Sequence, residues 1–175
     1  FKIPDRLTAT AIVSGMGPGD APGAKEGSSW TYPGKPSVIR RLLLMLTAMG
    51  LRKDPDRFNS NMRDAFEGPD KELALENSEL LDGVTETFSE ALRPGVAGAN
   101  YEAGLYTRPW GFRLQDIEAE VHLWHGEEDD ATPRQMGGWL AAMIPGAEAR
   151  ILPGEGHTST ILRYANEAFD VLLAD

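Results

Sequence analysis

The spacing of hydrophobic residues changes twice along the chain and divides it into three parts. Residues 7–14 (LTATAIVS) form a short run of β-branched and small residues, which is typical of a buried strand. A loop rich in Gly, Pro and Ser follows at residues 15–34. From residue 37 to about residue 106 the apolar residues recur at three- and four-residue steps, which predicts helices. We therefore divide the chain into residues 1–34, 35–112 and 113–175.

The middle part is predicted to contain four helices. The first begins at Ser37 and ends near Gly50, and the second has Asp54 as its N-cap and runs to Gly68. The third ends before Arg93, and the weakest signal spans residues 96–106. We expect the apolar stripes of these helices to pack in a core, with a pocket for an acyl or alkyl group as the alternative. The stripe of the first helix contains Val38, Leu42, Met45, Leu46 and Met49.

The last part alternates strand and helix patterns. Residues 117–124 (IEAEVHLW) read as a strand and lead into the acidic loop GEEDD at 126–130. Thr132 and Pro133 are predicted to cap and start a helix, residues 149–152 a last strand, and residues 161–173 an amphipathic helix. This order predicts an α/β fold with a doubly wound, mostly parallel sheet of about three strands and a helical insertion.

Three parallel strands form an incomplete sheet, because both faces and both edges of such a sheet need cover. The chain opens with Phe-Lys-Ile-Pro, without an initiator Met or a leader-like segment, and we interpret it as a fragment. The expected partner is therefore a missing N-terminal half or a second chain that covers the sheet edge.

Composition narrows the class of protein. The 175 residues are 41% hydrophobic, and 17 Lys and Arg against 27 Asp and Glu give a net charge of −10. The basic residues are scattered, so nucleic acids and membranes are not expected partners. The apolar run at residues 42–49 is far shorter than the roughly 20 residues of a membrane span. The absence of cysteine fits a reducing compartment, and we expect a cytoplasmic protein.

Two residues with complementary chemistry follow the last two predicted strands. Asp129 and His157 each stand a few residues beyond a strand, and the carboxyl ends of parallel strands meet at one edge of a sheet. A carboxylate that accepts the imidazole Nδ1–H fixes the tautomer, and Nε2 can then take and return a proton. Asp130 is the alternative acid, and we interpret Glu155 as a solvated side chain.

These motifs carry a family resemblance. LWHGEED at 123–129, with Pro133 four residues later and GEGH at 154–157, closely resembles the C-terminal half of the α/β hydrolases. Residues 5–7 leading into 14–15 look like the strand after the nucleophile helix, residues 37–106 resemble a lid, and residues 109–112 resemble the return to the core. The resemblance implies a Ser-His-Asp triad with Asp129 as the acid and His157 as the base.

One departure limits the expected function. The family's nucleophile usually sits in G-x-S-x-G, and no such motif occurs in these residues. Ser14 lacks the preceding glycine, so we expect it either to line the substrate pocket, as we expect of Trp110, or to be a hydrogen-bonded strand end. The resemblance thus implies the C-terminal part of a serine hydrolase for small esters or acyl groups, inactive alone, with its Ser outside this chain. The alternative is a non-catalytic, hydrolase-like binding or interaction module.

A metal site is a further possibility that the sequence argues against. His122 and His125 could be grouped with Asp129 as ligands. However, residues three apart on a strand point to opposite faces, so the two histidines are not expected to share an ion. We expect neither a metal nor a cofactor.

Overall fold

The computed structural model describes residues 6–27 and 34–174. Asp5 and residues 28–33 of the predicted loop lie outside the described residues. The chain divides into two compact units, one of Phe1–Trp30 with Arg108–Asp175 and one of Thr31–Thr107. The first contains a parallel sheet, and the second contains helices.

Three parallel strands in sequence order form the sheet of the first unit. They are β1 (Ala9–Val13), β2 (Glu120–Gly126) and β3 (Glu148–Leu152), and β2 lies in the middle. Helix α6 (Arg134–Met143) connects β2 to β3, and α7 (His157–Leu173) follows β3. The predicted α/β class and three-stranded parallel sheet are confirmed. The predicted start of α7 is wrong by four residues, because its first turn already includes His157.

The side chains of β2 alternate between two cores, as the two-residue period of a strand requires. One face packs beneath α6 and the other packs beneath α7. The first core contains Val121, Leu123, Leu140 and Ile144, and the second contains Trp124, Leu152 and Ala168. Helices on both faces of a central strand explain why nearly all of β2 is buried.

Five helices form the described part of the second unit, residues 34–107. They are α1 (Ser37–Lys53), α2 (Pro55–Ala65), α3 (Gly68–Glu76), α4 (Ser78–Ala91) and α5 (Ala97–Leu105). Asp54 caps α2 as predicted, with its Oδ1 accepting the Arg57 N–H at 2.9 Å. The sequence prediction missed α3, because Phe66 takes an extended conformation and ends α2 before Gly68. Among residues 6–27 and 34–174, no helix is long and apolar enough to cross a membrane.

The predicted buried stripe of α1 is exposed. Val38 is 79% and Met49 is 63% exposed. The buried positions are instead Arg40, Ala48 and Leu51. The Arg40 guanidinium donates to Asn100 Oδ1 at 2.9 Å on α5, so α1 is attached to its neighbour by a polar group. The core-packing prediction for this stripe is therefore wrong, and the acyl-pocket alternative stays a prediction.

Helix α6 approaches β2 closely at Gly137. A Cβ at Gly137 would lie 2.4 Å from the His125 ring, whereas a Cβ at Gly138 would have no heavy atom within 4 Å. We expect Gly137→Ala to lower the free energy of unfolding by about 1–3 kcal/mol through overpacking. Gly138→Ala should raise it by about 0.5–1 kcal/mol through helix propensity. Urea unfolding of both variants checks the pair, and equal effects would contradict this packing.

Candidate active site

The ends of β2 and β3 bring the predicted acid and base together. Gly126 and Leu152 are paired at the carboxyl ends of the two strands. Asp129 lies in the loop after β2, and His157 is the first residue of α7. The distance from Asp129 Oδ2 to His157 Nδ1 is 2.9 Å. The two side chains thus form the hydrogen-bonded pair that the parallel topology predicts.

The Asp129 carboxylate is buried and bonded through both oxygens. Its side chain is 0% exposed. Oδ1 accepts the Thr132 backbone N–H at 2.7 Å, and Oδ2 accepts the Thr132 hydroxyl at 2.9 Å as well as His157 Nδ1. Asp130, the alternative acid, is exposed. The geometry therefore favours Asp129 over Asp130 as the partner of the base.

Opposing effects act on the ionisation of Asp129. Burial raises the pKa of its carboxyl group, since a charge loses its water. The hydrogen bond and positive charge of His157 lower it, as do the backbone and hydroxyl hydrogen bonds from Thr132. The net result is a pKa below the ordinary value. Asp129 is therefore a carboxylate at neutral pH, as an acceptor for His157 must be.

His157 has the exposure and orientation of a base. Its side chain is 30% exposed, while the carboxylate behind it is fully enclosed. Because Nδ1 faces an ionised carboxylate, Nδ1 carries the proton and, in the neutral ring, Nε2 is the basic nitrogen. This arrangement can accept a proton at Nε2 and stabilise the resulting imidazolium through Asp129.

The loop before His157 is fixed by internal bonds. Gly154 has a φ of 72°, the left-handed conformation that a glycine adopts without strain. The Ser159 hydroxyl accepts the Gly156 N–H at 2.8 Å. Glu155 is only 7% exposed, and both of its carboxylate oxygens bind Arg163 at 3.1 Å. The interpretation of Glu155 as a solvated side chain is therefore wrong, since Arg163 from α7 compensates its charge.

Ser14 lies beside the pair but does not direct its hydroxyl to the imidazole in the contact described. It is 5% exposed, and its Oγ donates to the backbone oxygen of His157 at 3.1 Å. Its φ of 51° is unusual for a residue other than glycine. Its N–H still bonds Trp124 O at 2.8 Å, so the strained residue ends β1. Ser14 thus has the hydrogen bonds of a strand end, and its predicted role in lining a pocket stays a prediction.

Trp110 lines two hollows of the sheet unit. One hollow is about 530 Å³ and the other about 500 Å³, and the lining of neither includes Asp129 or His157. The ring centroids of Trp110 and Phe112 are 5.7 Å apart. Trp110 therefore faces an apolar surface, but these hollows do not join it to the pair.

The two histidines of β2 lie on opposite faces, as predicted. His122 has Nε2 2.6 Å from Glu120 and Nδ1 3.4 Å from Glu148. His125 is 0% exposed and lies against α6, with Nε2 2.6 Å from Thr132 O. Within the described ranges, no three His, Asp or Glu side chains are grouped to hold a metal ion. The histidines thus bind neighbouring protein groups on separate sides of the sheet.

Sequence reasoning missed the contribution of Thr132 to the site. We predicted Thr132 as a helix cap, but α6 has no side-chain cap bond. The signal was available, because Asp129 and Thr132 have the spacing at which a carboxylate accepts the backbone N–H three residues later. That spacing makes Thr132 a direct partner of the acid.

Comparisons with known proteins identify this architecture. An esterase from Thermogutta terrifontis superimposes on 97% of this chain with a TM-score of 0.61 and 17% identity, using 56% of its own length. The chain has the α/β-hydrolase fold. An esterase from a Rhodococcus species covers 94% of the chain with a TM-score of 0.56, 19% identity and 55% of its own length. A bromoperoxidase from Bacillus anthracis covers 75% with a TM-score of 0.53, 18% identity and 48% of its length.

Comparison of structures shows the α/β-hydrolase fold, whereas the comparisons by sequence give no match. No protein-family model matches the chain, and no curated protein matches it by sequence. The chain spans about half the length of the solved structures that it matches. It is consistent with the C-terminal part of an α/β-hydrolase fold.

The lowered pKa of Asp129 predicts a pH-dependent stability. A depressed folded-state pKa contributes stability above the unfolded value, and this contribution is lost as pH falls through the folded pKa. The unsubstituted chain should have a higher free energy of unfolding than Asp129→Asn. We expect this difference to be at its full value above about pH 5 and to become smaller in acid. Denaturant unfolding across pH checks this. Glu128→Gln, an exposed acid in the same loop, is the control, and a difference independent of pH would contradict the prediction.

Proposed function

We propose that the chain supplies the acid and base of a serine hydrolase that acts on a carboxylic ester or another small acyl substrate. The observation that carries this proposal is the 2.9 Å contact between a buried carboxylate and a partly exposed imidazole at the ends of neighbouring strands. The esterases among the structural matches support the choice of ester chemistry. The fold alone leaves the reaction open, so the site carries the proposal.

The proposed mechanism needs a serine from outside these residues. Its Oγ attacks the carbonyl carbon of the ester while His157 Nε2 takes the hydroxyl proton. Asp129 stabilises the imidazolium, which then gives the proton to the leaving alkoxide as the acyl-enzyme forms. Water then attacks the acyl-enzyme with His157 again as the base, which releases the carboxylic acid product and restores the serine. Backbone N–H groups, also expected from outside the chain, hold the oxyanion.

The open edge of β1 offers a place for the rest of such an enzyme. Among the described strands β1 pairs only with β2. The hollow of about 500 Å³ beside it is lined by apolar side chains, among them Leu7, Ile12, Val121 and Ile144. An unpaired strand edge with an apolar hollow favours association. We infer that the missing N-terminal half covers this edge and carries the nucleophile.

The same edge favours a second candidate function. A partner chain could pair with β1, and the protein would then be a hydrolase-like interaction module without catalysis. Intact mass spectrometry of the protein from its source separates the two. A longer chain that contains G-x-S-x-G supports the hydrolase, whereas a native chain that starts near Phe1 supports the module. The cysteine-free composition supports a cytoplasmic location for either.

Covalent labelling tests the catalytic proposal. We expect a fluorophosphonate to label the protein that contains both this chain and the nucleophile, because the probe reacts with an activated serine. His157→Ala should slow labelling by about 10³-fold or more, and Asp129→Asn by about 10²- to 10⁴-fold. Glu128→Gln should label like the parent. Unchanged labelling of His157→Ala would exclude His157 as the base.

Labelling of the 175-residue chain alone tests the position of the nucleophile. We expect no adduct, because the described hydroxyl of Ser14 binds a backbone oxygen rather than the imidazole. An adduct on Ser14 that disappears in Ser14→Ala would overturn the proposal that the nucleophilic serine lies outside this chain. Peptide mass spectrometry locates the adduct in either protein.

A further inference from the structure

We propose, resting on the hydrolase function proposed above, that Thr132 is a positioning residue for the acid and base and that His125 holds Thr132 in place. The juxtaposition that carries this inference is a buried series of contacts from His125 through Thr132 to Asp129 and His157. Thr132 itself is only 2% exposed.

The Thr132 hydroxyl has three neighbours and one proton. Its Oγ lies 2.9 Å from Asp129 Oδ2, 3.3 Å from Ser14 O and 3.3 Å from His157 Nδ1. The shortest contact is to an ionised acceptor, so the proton is directed to the carboxylate. Oδ2 then accepts from both Thr132 and His157, and the hydroxyl lies beside the very bond that orients the base.

Thr132 holds the carboxylate through both of its oxygens. Its backbone N–H binds Oδ1 at 2.7 Å while its hydroxyl binds Oδ2. A carboxylate held at both ends cannot rotate about its Cβ–Cγ bond without losing a hydrogen bond. Both bonds also favour the ionised form by lowering the pKa of Asp129 against the effect of burial. One residue therefore fixes the direction and supports the charge of the acid.

His125 contacts the carbonyl oxygen of Thr132, and its Nε2 also lies 3.8 Å from Asp129 Oδ2. Its Nε2 lies 2.6 Å from the Thr132 carbonyl oxygen, which has no proton, so Nε2 must be the donor. Its Nδ1 is buried without a hydrogen-bond partner among the described residues. A phenylalanine would fill the same space without an unsatisfied nitrogen. The histidine is therefore better explained by its bond to Thr132 than by packing, and Gly137 leaves room for its ring.

A helix-capping role accounts less well for Thr132. The N-cap residue of α6 is Pro133, and no side chain caps that helix. The described contacts of the hydroxyl are with Asp129, Ser14 and His157. They join the ends of β1, β2 and β3 rather than the start of α6.

Two variants of the 175-residue chain separate the hydroxyl from the shape of the side chain. Thr132→Val removes the hydroxyl in a side chain of nearly the same shape, and Thr132→Ser keeps it. We expect Thr132→Val to raise the pKa of Asp129 in a ¹³C NMR titration and to shift or broaden the His157 Nδ1–H proton resonance. Thr132→Ser should keep both as in the parent. Thr87→Val, at an exposed position of α4, is the control for a Thr-to-Val change elsewhere.

Unchanged NMR signals in the variants would contradict the proposal. A folded Thr132→Val chain with parent values for both signals overturns the role of Thr132. Should circular dichroism show that Thr132→Val does not fold, Thr132→Ala takes its place with the same two outcomes. His125→Phe tests the contact of His125 with Thr132: a rise in the pKa of Asp129 that is smaller in the Thr132→Val background supports it, whereas parent values, or an equal rise in both backgrounds, overturn it.

These measurements do not depend on a nucleophile or a substrate. A chain with the expected NMR shifts whose full-length protein resists fluorophosphonate would sink the hydrolase proposal and leave Thr132 as the holder of the acid. Labelling that depends on His157, combined with unshifted signals in Thr132→Val, would support the hydrolase proposal and overturn the role of Thr132.

Discussion

The buried carboxylate of Asp129 is the constraint on which the rest of the site depends. A charge removed from water costs several kcal/mol unless fixed donors replace the water. Here the donors come from two places in the chain, the following turn at Thr132 and the start of α7 at His157. The ends of β2 and β3 must therefore stay together for the charge to remain compensated. Ser14 adds β1 to this arrangement through its contacts with the other two segments.

Two glycines permit the close approach that this compensation requires. A Cβ at Gly126 would lie 2.3 Å from the Glu155 backbone oxygen, so only glycine lets the acid loop and the base loop meet there. Gly137 gives the His125 ring its place beneath α6. Main-chain contacts of this kind are stiff, because neither partner can move aside as a long side chain can. The approach of the acid loop to the base loop at Gly126 is consequently determined by the backbone.

The sequence predicted the features of the site that follow from topology. Parallel strands require that Asp129 and His157 meet at one edge, and strand periodicity separates His122 from His125. Features that depend on long-range neighbours were missed. Periodicity shows that α1 has an apolar face, but only contacts such as that of Arg40 with Asn100 show which side is covered. Likewise, Glu155 is buried because α7 supplies Arg163, and nothing in the loop's own residues indicates this.

The proposed chemistry and the edge of β1 that is unpaired among the described strands concern the same place in the fold. Neighbouring strands lie about 4.8 Å apart, so a strand added beside β1 would end about one strand spacing from Ser14. Ser14 already contacts the main chain of His157. A serine at the carboxyl end of such a strand would therefore stand within reach of the imidazole, with Asp129 on the far side of the ring. In the proposed mechanism His157 transfers the proton while Asp129 stays ionised, so neither forms a bond to the substrate, and the proposed nucleophile and the proposed additional strand are both placed at this edge.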